Sequence, residues 1–108
     1  MPKRKSFYNP EGPFHIGATC INKEWFNLTL QEVWEIFSDQ LFFLAHAFKF
    51  KIHSFVLMSN HYHLLSSTPD CNLSEGMAYF HRETSRELNR RGNRINRTFA
   101  GRFFASEI

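Results

Sequence analysis

Two histidines separated by one residue, His61 and His63, have the spacing best suited to metal chemistry in this chain. Apolar residues at 55–58 and 64–65 flank them, which predicts a buried β-strand. Burial of a polar side chain in such a strand costs free energy and therefore indicates a structural or functional role. Successive strand residues point to opposite faces, so the two imidazoles share one face and Tyr62 points to the other. Their Cα atoms are then about 7 Å apart, close enough for one ion to contact both rings. The simpler alternative is two solvated histidines on a half-buried strand.

The last quarter of the chain concentrates arginine. From residue 82 onward there are seven arginines and three acidic residues, a charge of +4, whereas the whole chain carries +3. A guanidinium can hold a phosphate through two hydrogen bonds, so this bias predicts nucleic-acid binding. A solvated helix face is the alternative. The arginines are Arg82, Arg86, Arg90, Arg91, Arg94, Arg97 and Arg102.

Length and composition limit the chain to one modest domain. Its 108 residues are 43% hydrophobic and 17% aromatic, which is typical of a folded chain. No apolar stretch approaches the ~20 residues of a membrane span. The basic start lacks the apolar stretch of a secretory signal, so we expect a cytoplasmic protein. Cys20 and Cys71 form no C-x-x-C pair and indicate neither a zinc ribbon nor a redox site.

Proline and glycine separate a basic, flexible lead-in over residues 1–13 from a domain predicted over residues 14–108. Alternating apolar residues predict a first strand over residues 14–21. One face of this strand would carry His15, Gly17 and Thr19.

The first helix begins at a capping box, Thr29 with Glu32, and is predicted to end near residue 48. Its apolar stripe comprises Leu30, Val33, Trp34, Phe37, Leu41, Leu44, Ala45 and Phe48. A second strand is predicted over residues 52–58, followed by a tight turn or a bulge at Ser59 and Asn60. The histidine strand then extends to about residue 66.

A second helix is predicted over residues 73–91, with Asn72 as its N-cap and Gly92 after its end. Its inward stripe comprises Leu73, Met77, Phe80, Thr84 and Leu88. A short final strand is predicted over residues 99–104. The order strand, helix, strand, strand, helix, strand indicates an α+β, ferredoxin-like split β-α-β fold, an antiparallel sheet with two helices packed on one face.

The histidine segment, Met58-Ser59-Asn60-His61-Tyr62-His63-Leu64-Leu65, resembles that of the REP-associated tyrosine transposases, which are single-tyrosine HUH transposases of the IS200-like superfamily. Ser59 stands where that family commonly has proline. The resemblance extends from about residue 14 to the end of the chain. It includes the helix segment Leu88-Asn89-Arg90-Arg91 and the later segment Gly101-Arg102-Phe103.

The resemblance implies a DNA transposase with the same fold. It implies that His61 and His63, with a polar residue of the second helix, bind Mg²⁺ or Mn²⁺ against a scissile phosphate. Asn89 is then the candidate third ligand, and His81 is its competitor. The implied substrate is single-stranded or hairpin DNA, cleaved through a 5′-phosphotyrosine. Relatives that work as dimers make a homodimer a further expectation.

The chain departs from the resemblance at the nucleophile, which should fall at Thr84 or Ser85. Among the tyrosines Tyr8, Tyr62 and Tyr79, Tyr79 is the candidate for a displaced nucleophile, although an edge aromatic is the simpler interpretation. Our hypothesis is that the chain keeps the metal and DNA scaffold and has lost strand cleavage. Family members usually continue beyond the point where this chain stops, so we also expect a truncated or naturally short form.

Two alternatives stay open. One is a non-catalytic module that binds RNA or DNA, although the aromatic strand signature of an RNA-recognition motif is missing. The other is a metal-dependent phosphodiester hydrolase that adds His15 or His81 to the pair, although no carboxylate accompanies the pair as a general base. For the leading interpretation, Phe99 or Phe103 would offer a surface for base stacking.

Overall fold

The structure is a computed structural model that describes residues 12–20, 28–92, 98–99 and 103–107. They form β1 (Pro13–Thr19), α1 (Leu30–Ala47), β2 (Lys51–Leu57), β3 (His61–Ser67), α2 (Leu73–Gly92) and β4 (Phe104–Glu107). The predicted order of elements is confirmed. The four strands form one antiparallel sheet in the order β2-β3-β1-β4, so the histidine strand β3 is central. Neither described helix combines the length and apolarity of a membrane span.

Local sequence signals explain the start of α1 and the turn before β3. The Thr29 amide donates to Glu32 Oε1 over 2.9 Å, and the Glu32 amide donates to Thr29 Oγ1 over 3.1 Å, as a capping box requires. These hydrogen bonds from Thr29 also lower the pKa of Glu32. At the turn, the Met58 amide donates to the His61 carbonyl over 2.8 Å, which closes the connection between β2 and β3.

Both helices pack on the same face of the sheet, which we call the helix face. Tyr62 lies at its centre and is fully buried. The centroid of its ring is 5.5 Å from that of Phe37 on α1 and 5.7 Å from that of Phe80 on α2. Because one β3 side chain contacts both helices, α1 and α2 form a single layer against this side of the sheet. The apolar core is therefore sandwiched between that layer and the sheet.

The opposite side of the sheet is called the histidine face. Directly paired residues of antiparallel strands point to the same side, so the register defines this face. Gly17 pairs with His63 and with Phe104, and His63 pairs with Val56. By the same pairing the face also carries His15, Thr19, Lys51, Ser54, His61, Leu65, Ser67 and Ser106.

Three sequence predictions about packing were wrong. Leu30 and Trp34 are 52% and 41% exposed, because the stripe of α1 that meets the core instead runs through Ile36, which is buried. The final strand lies at residues 104–107 and not at 99–104, and Phe99 makes only an isolated bridge with Cys20. The Asn72 side chain does not cap α2, since its Oδ1 accepts no hydrogen bond from the described residues, while its Nδ2 donates to the Phe48 carbonyl over 2.9 Å.

Candidate functional site

The two histidines of β3 project from the histidine face and are half-buried, whereas Tyr62 between them is buried on the helix face. Their ring centroids are 5.0 Å apart and the ring planes are nearly perpendicular, at 89°. The alternation of a regular strand therefore places His61 and His63 side by side, as the spacing predicted.

Each ring of the pair is held through its Nδ1 atom. His61 Nδ1 lies 2.7 Å from the Asn60 side-chain oxygen, and His63 Nδ1 lies 2.8 Å from Nε2 of His15. An amide oxygen can only accept, so His61 carries its proton on Nδ1 and presents the lone pair of Nε2. When His63 Nδ1 donates to His15, His63 presents Nε2 in the same way. Partners of this kind orient the rings of metal-binding histidines and fix their tautomer.

These two side chains suit a divalent cation. The pKa of His63 is lowered by partial burial and then by the charges of His15 and His61, which favours the neutral imidazole that binds metal. Among the described residues, no group of three or more histidine, cysteine, aspartate or glutamate side chains is arranged to hold an ion. Two imidazoles would thus leave coordination positions for oxygens of water or substrate, and they do not by themselves select one metal.

His81, the predicted competitor for the third ligand, lies on the helix face. Its Nε2 is 2.6 Å from the Tyr62 hydroxyl, and its ring stacks on Phe99 with centroids 3.9 Å apart. Burial lowers the pKa of His81 to about 4. Because Tyr62 points away from His61 and His63, the sheet separates His81 from the pair, and His81 cannot share an ion with them.

The other predicted residues of α2 also lie behind the sheet. Thr84 is fully buried in the helix face, and its hydroxyl is one of the described buried polar atoms without a hydrogen-bond partner. Asn89, the expected third ligand, lies next to the buried Leu88 in the same helix layer. The Ser85 hydroxyl is 2.7 Å from that of Thr98. Thr84 and His81 therefore lie on the helix face and do not face the histidine pair, whereas the role of Asn89 as third ligand stays a prediction.

Tyr79, the candidate for a displaced nucleophile, lies on the outer surface of the helix layer. Its ring stacks on Phe43 of α1 at a centroid distance of 4.6 Å, and the Arg82 guanidinium carbon lies 5.4 Å from its ring centroid. The structure thus places this tyrosine with the two helices and away from His61 and His63.

The described arginines of α2 are exposed but share their charge with glutamates. Arg82 and Arg86 lie 3.3 and 3.1 Å from Glu83. Arg90 lies 2.6 Å from Glu87, and its hydrogen bond lowers the pKa of that carboxyl. Arg91 pairs more loosely with Glu35, at 3.5 Å. The arginine ridge, meaning Arg82, Arg86, Arg90 and Arg91, is on the helix side of the domain. Arg94, Arg97 and Arg102 lie outside the described residues.

The sequence reasoning missed several residues of the histidine face. Phe104 is 46% exposed, and its ring centroid is 5.2 Å from that of His15. Val56, 52% exposed, lies on the other side of His63. Lys51 is an exposed cation of the histidine face. Among the described side chains of this face there is no carboxylate. Strand alternation predicts that His15 and Gly17 share one face of β1. The residues of β3 and β4 beside them follow only from the register of the strands.

Comparison with known proteins gives this architecture a class. The structure is similar to a REP-associated tyrosine transposase bound to a REP hairpin, with a TM-score of 0.71 and 18% identity over the whole chain. It is also similar to a protein of Deinococcus radiodurans described as a candidate transposase, with a TM-score of 0.68, 11% identity and coverage of 100% of this chain and 86% of that one. These likenesses show that the domain has the fold of transposases.

The family follows from the sequence. Residues 15–107 match the family model described as transposase IS200 like, and the chain belongs to that family. The chain spans 62% of the length of the hairpin-bound transposase that it matches. No curated protein matches it in sequence.

Proposed function

We propose that this domain binds single-stranded or hairpin DNA on its histidine face, where His61 and His63 hold Mg²⁺ or Mn²⁺ against a backbone phosphate. The proposal depends on the observation that the Asn60 oxygen and the His15 ring contact the Nδ1 atoms of the pair, an arrangement that presents both Nε2 atoms as ligands when His63 donates its Nδ1 proton to His15. Such an ion acts as a Lewis acid on a phosphoryl oxygen. Family membership and the hairpin bound by the similar transposase support DNA as the ligand.

The electrostatic character of the histidine face supports the same proposal. Lys51 adds a positive charge to this face, and the described side chains that point from it include no carboxylate that would repel a phosphate. The arginine ridge is on the other side of the domain. We propose that it serves as an auxiliary contact for the paired stem of a hairpin, because exposed ion pairs are weak and a phosphate can compete for the guanidinium.

The residue type at position 84 does not decide whether the domain cleaves DNA, because the side chain at this position faces the core. A nucleophile acting at His61 and His63 must approach from the histidine face. The described tyrosines, Tyr62 and Tyr79, lie in the helix face and on the helix layer. We therefore keep the proposal that this domain provides the DNA and metal scaffold of the family and does not cleave DNA through a tyrosine among the described residues.

Binding of a fluorescent hairpin oligonucleotide with a single-stranded flank tests the proposal. We expect Mn²⁺ to strengthen binding by the unaltered protein and to leave a double variant, His61→Ala with His63→Ala, unchanged. His53→Ala is the matched control, because His53 lies on the neighbouring strand and contacts Ser67 instead of the pair. A double variant that responds to Mn²⁺ like the unaltered protein would contradict the metal site. Tighter binding of RNA of the same sequence would favour the RNA-binding alternative.

The same samples test cleavage. After incubation with Mn²⁺, denaturing electrophoresis separates free protein from any covalent protein–DNA adduct. We expect no adduct. An adduct that maps to Tyr79 would show that this tyrosine reaches the phosphate and would overturn both the non-cleaving proposal and the location of the site.

A further inference from the structure

Phe104 is an exposed aromatic residue that lies beside the histidine pair. It is the first residue of β4 and pairs with Gly17 of β1, which in turn pairs with His63 of β3. The centroid of its ring is 5.2 Å from that of His15, nearly edge-on at 83°, and 6.5 Å from that of His63. Adjacent strands are about 4.8 Å apart, so Phe104 lies two strands across the sheet from the pair.

Glycine at position 17 lets the phenylalanine ring lie against the sheet. A Cβ atom at this position would approach Cε2 and Cζ of Phe104 to 2.6 Å and the Tyr62 carbonyl oxygen to 2.8 Å, which no side chain tolerates without displacement. The ring therefore covers the backbone of Gly17, which is buried. Its other side contributes to the 46% of Phe104 that stays exposed.

We propose that Phe104 is a stacking platform for a nucleobase next to the phosphate held at His61 and His63. This proposal rests on the DNA-binding function above and adds a base-binding subsite to it. An aromatic ring offers its face to any base, so the subsite would be tolerant of sequence. The edge contact with His15 links the platform to the residue that orients His63.

The surroundings of Phe104 favour a nucleic-acid strand as the occupant. Val56, His63, Gly17 and Phe104 form one row across the sheet, so apolar surface flanks the histidine on both sides. A phosphate at the histidine would place its neighbouring sugar and base over such surface. The described side chains of this face carry Lys51 and several histidines and no carboxylate, which suits a polyanion and not a cationic partner.

The two aromatic residues predicted for this role do not fit it. Phe99 is 6% exposed and stacks on His81 in the helix face, so a base cannot reach its ring. Phe103 is partly buried against the core. Phe42 provides a matched control, because it is 66% exposed on α1 and stacks on His46, away from the histidine face.

Fluorescence anisotropy with a short single-stranded DNA of mixed sequence, in Mn²⁺ and at fixed salt, tests the subsite. We expect Phe104→Ala to weaken binding by about 5- to 150-fold, the usual loss for removal of one stacking partner. Phe104→Trp should bind at least as tightly as the unaltered protein, and Phe42→Ala should bind equally. Thermal unfolding of each variant verifies the fold, which Phe104→Ala should preserve because the side chain is half exposed.

Oligonucleotides with one abasic position, moved stepwise along the strand, identify the stacked base. In the unaltered protein one position should weaken binding most, and Phe104→Ala should remove that dependence. Equal affinities of Phe104→Ala and the unaltered protein, or an abasic profile that Phe104→Ala leaves intact, would overturn the subsite alone. If the unaltered protein binds neither single-stranded nor hairpin DNA, the proposed function fails and the subsite fails with it.

Discussion

The Nε2 atom of His15 lies 2.8 Å from the Nδ1 atom of His63, and the two rings are close to parallel, at 27°. The residues are on neighbouring strands and belong to pairs of the register two positions apart, which lie on the same face, since His15 pairs with Leu65 and Gly17 pairs with His63. His15 is thus a positioning residue for His63. Its contact is set by tertiary structure, in contrast to the Asn60 contact, which comes from the preceding residue of the chain.

The first prediction concerns metal affinity. We expect His15→Ala to weaken Mn²⁺ binding by about 10- to 100-fold, as is usual when the outer partner of a metal-binding histidine is removed. Asn60→Ala should have a similar effect through His61. Calorimetric titration with Mn²⁺ in the absence of DNA measures this directly, so the result does not depend on the DNA site.

His53→Ala is again the control, since His53 contacts Ser67 over 3.0 Å and no member of the pair. His15→Gln tests whether an acceptor at this position is sufficient, because a glutamine oxygen can accept from Nδ1. Undiminished Mn²⁺ affinity in both His15→Ala and Asn60→Ala would show that the Nδ1 contacts do not prepare the site.

The second prediction separates the two faces of the domain by their salt dependence. Each phosphate contact adds about one unit to the slope of log affinity against log salt concentration. Lys51→Ala, on the histidine face, should therefore reduce the slope by about one for a single strand and for a hairpin alike. The double variant of the arginine ridge, Arg86→Ala with Arg90→Ala, should reduce the slope only for the hairpin, because we assign the ridge to its paired stem.

Lys49→Ala is the control for charge alone, since it removes one positive charge from an exposed residue between α1 and β2. A ridge variant that loses as much slope on the single strand as on the hairpin would argue that the arginines, and not the histidine face, carry single-strand binding.

The third prediction is a dependence of stability on pH that comes from His81. Its pKa is about 4 in the folded protein because of burial, whereas an unfolded histidine has a pKa near ~6.5. Between these two pKa values the unfolded chain binds a proton that the folded protein does not bind. The free energy of unfolding therefore falls as the pH falls through this range. The contribution amounts to about 3 kcal/mol and is fully present above pH ~6.5. Urea unfolding at pH values from neutral to about 4 measures it.

His81→Phe is the informative variant for this test. It keeps an aromatic ring against Phe99 but removes the partner of the Tyr62 hydroxyl. We expect it to be less stable at neutral pH by about 1–3 kcal/mol, the cost of a buried hydroxyl without a partner. Its stability should also decline less on acidification than that of the unaltered protein. Parallel declines in both proteins would assign the acid sensitivity to other groups.

Short-range signals predicted much of this fold. The alternation of a strand was enough to put His61 and His63 together and Tyr62 opposite, and the capping box placed the start of α1 at Leu30. Both features depend on residues a few positions apart, where steric and hydrogen-bonding preferences act directly. The inward stripe of α2, including Thr84, was also correct.

The composition of the site depended on contacts that a single strand or helix does not reveal. The apolar stripe of α2 does not show on which side of the sheet the helix lies, so the sequence alone leaves open whether Thr84, Asn89 and His81 face the pair. The contact between Phe104 and Gly17 requires the register of β4 on β1, and the prediction had assigned the final strand to residues 99–104. Register is set by long-range pairing, and an edge strand of four residues carries little periodicity to specify it.

The last prediction concerns Thr84, whose buried hydroxyl has no hydrogen-bond partner among the described residues. Valine has nearly the same shape, so Thr84→Val removes an unsatisfied polar group without opening a cavity. We expect the free energy of unfolding to rise by up to about 1 kcal/mol and the affinities for Mn²⁺ and DNA to stay unchanged.

Thr84→Tyr, which would introduce the ring expected from the family resemblance, should instead destabilise the protein by about 1–3 kcal/mol or more through overpacking. It should form no covalent adduct with DNA, because the core lies between its hydroxyl and the histidine face. Denaturant unfolding and the electrophoretic adduct assay measure the two effects, and an adduct formed by Thr84→Tyr would show that α2 does reach the histidine pair.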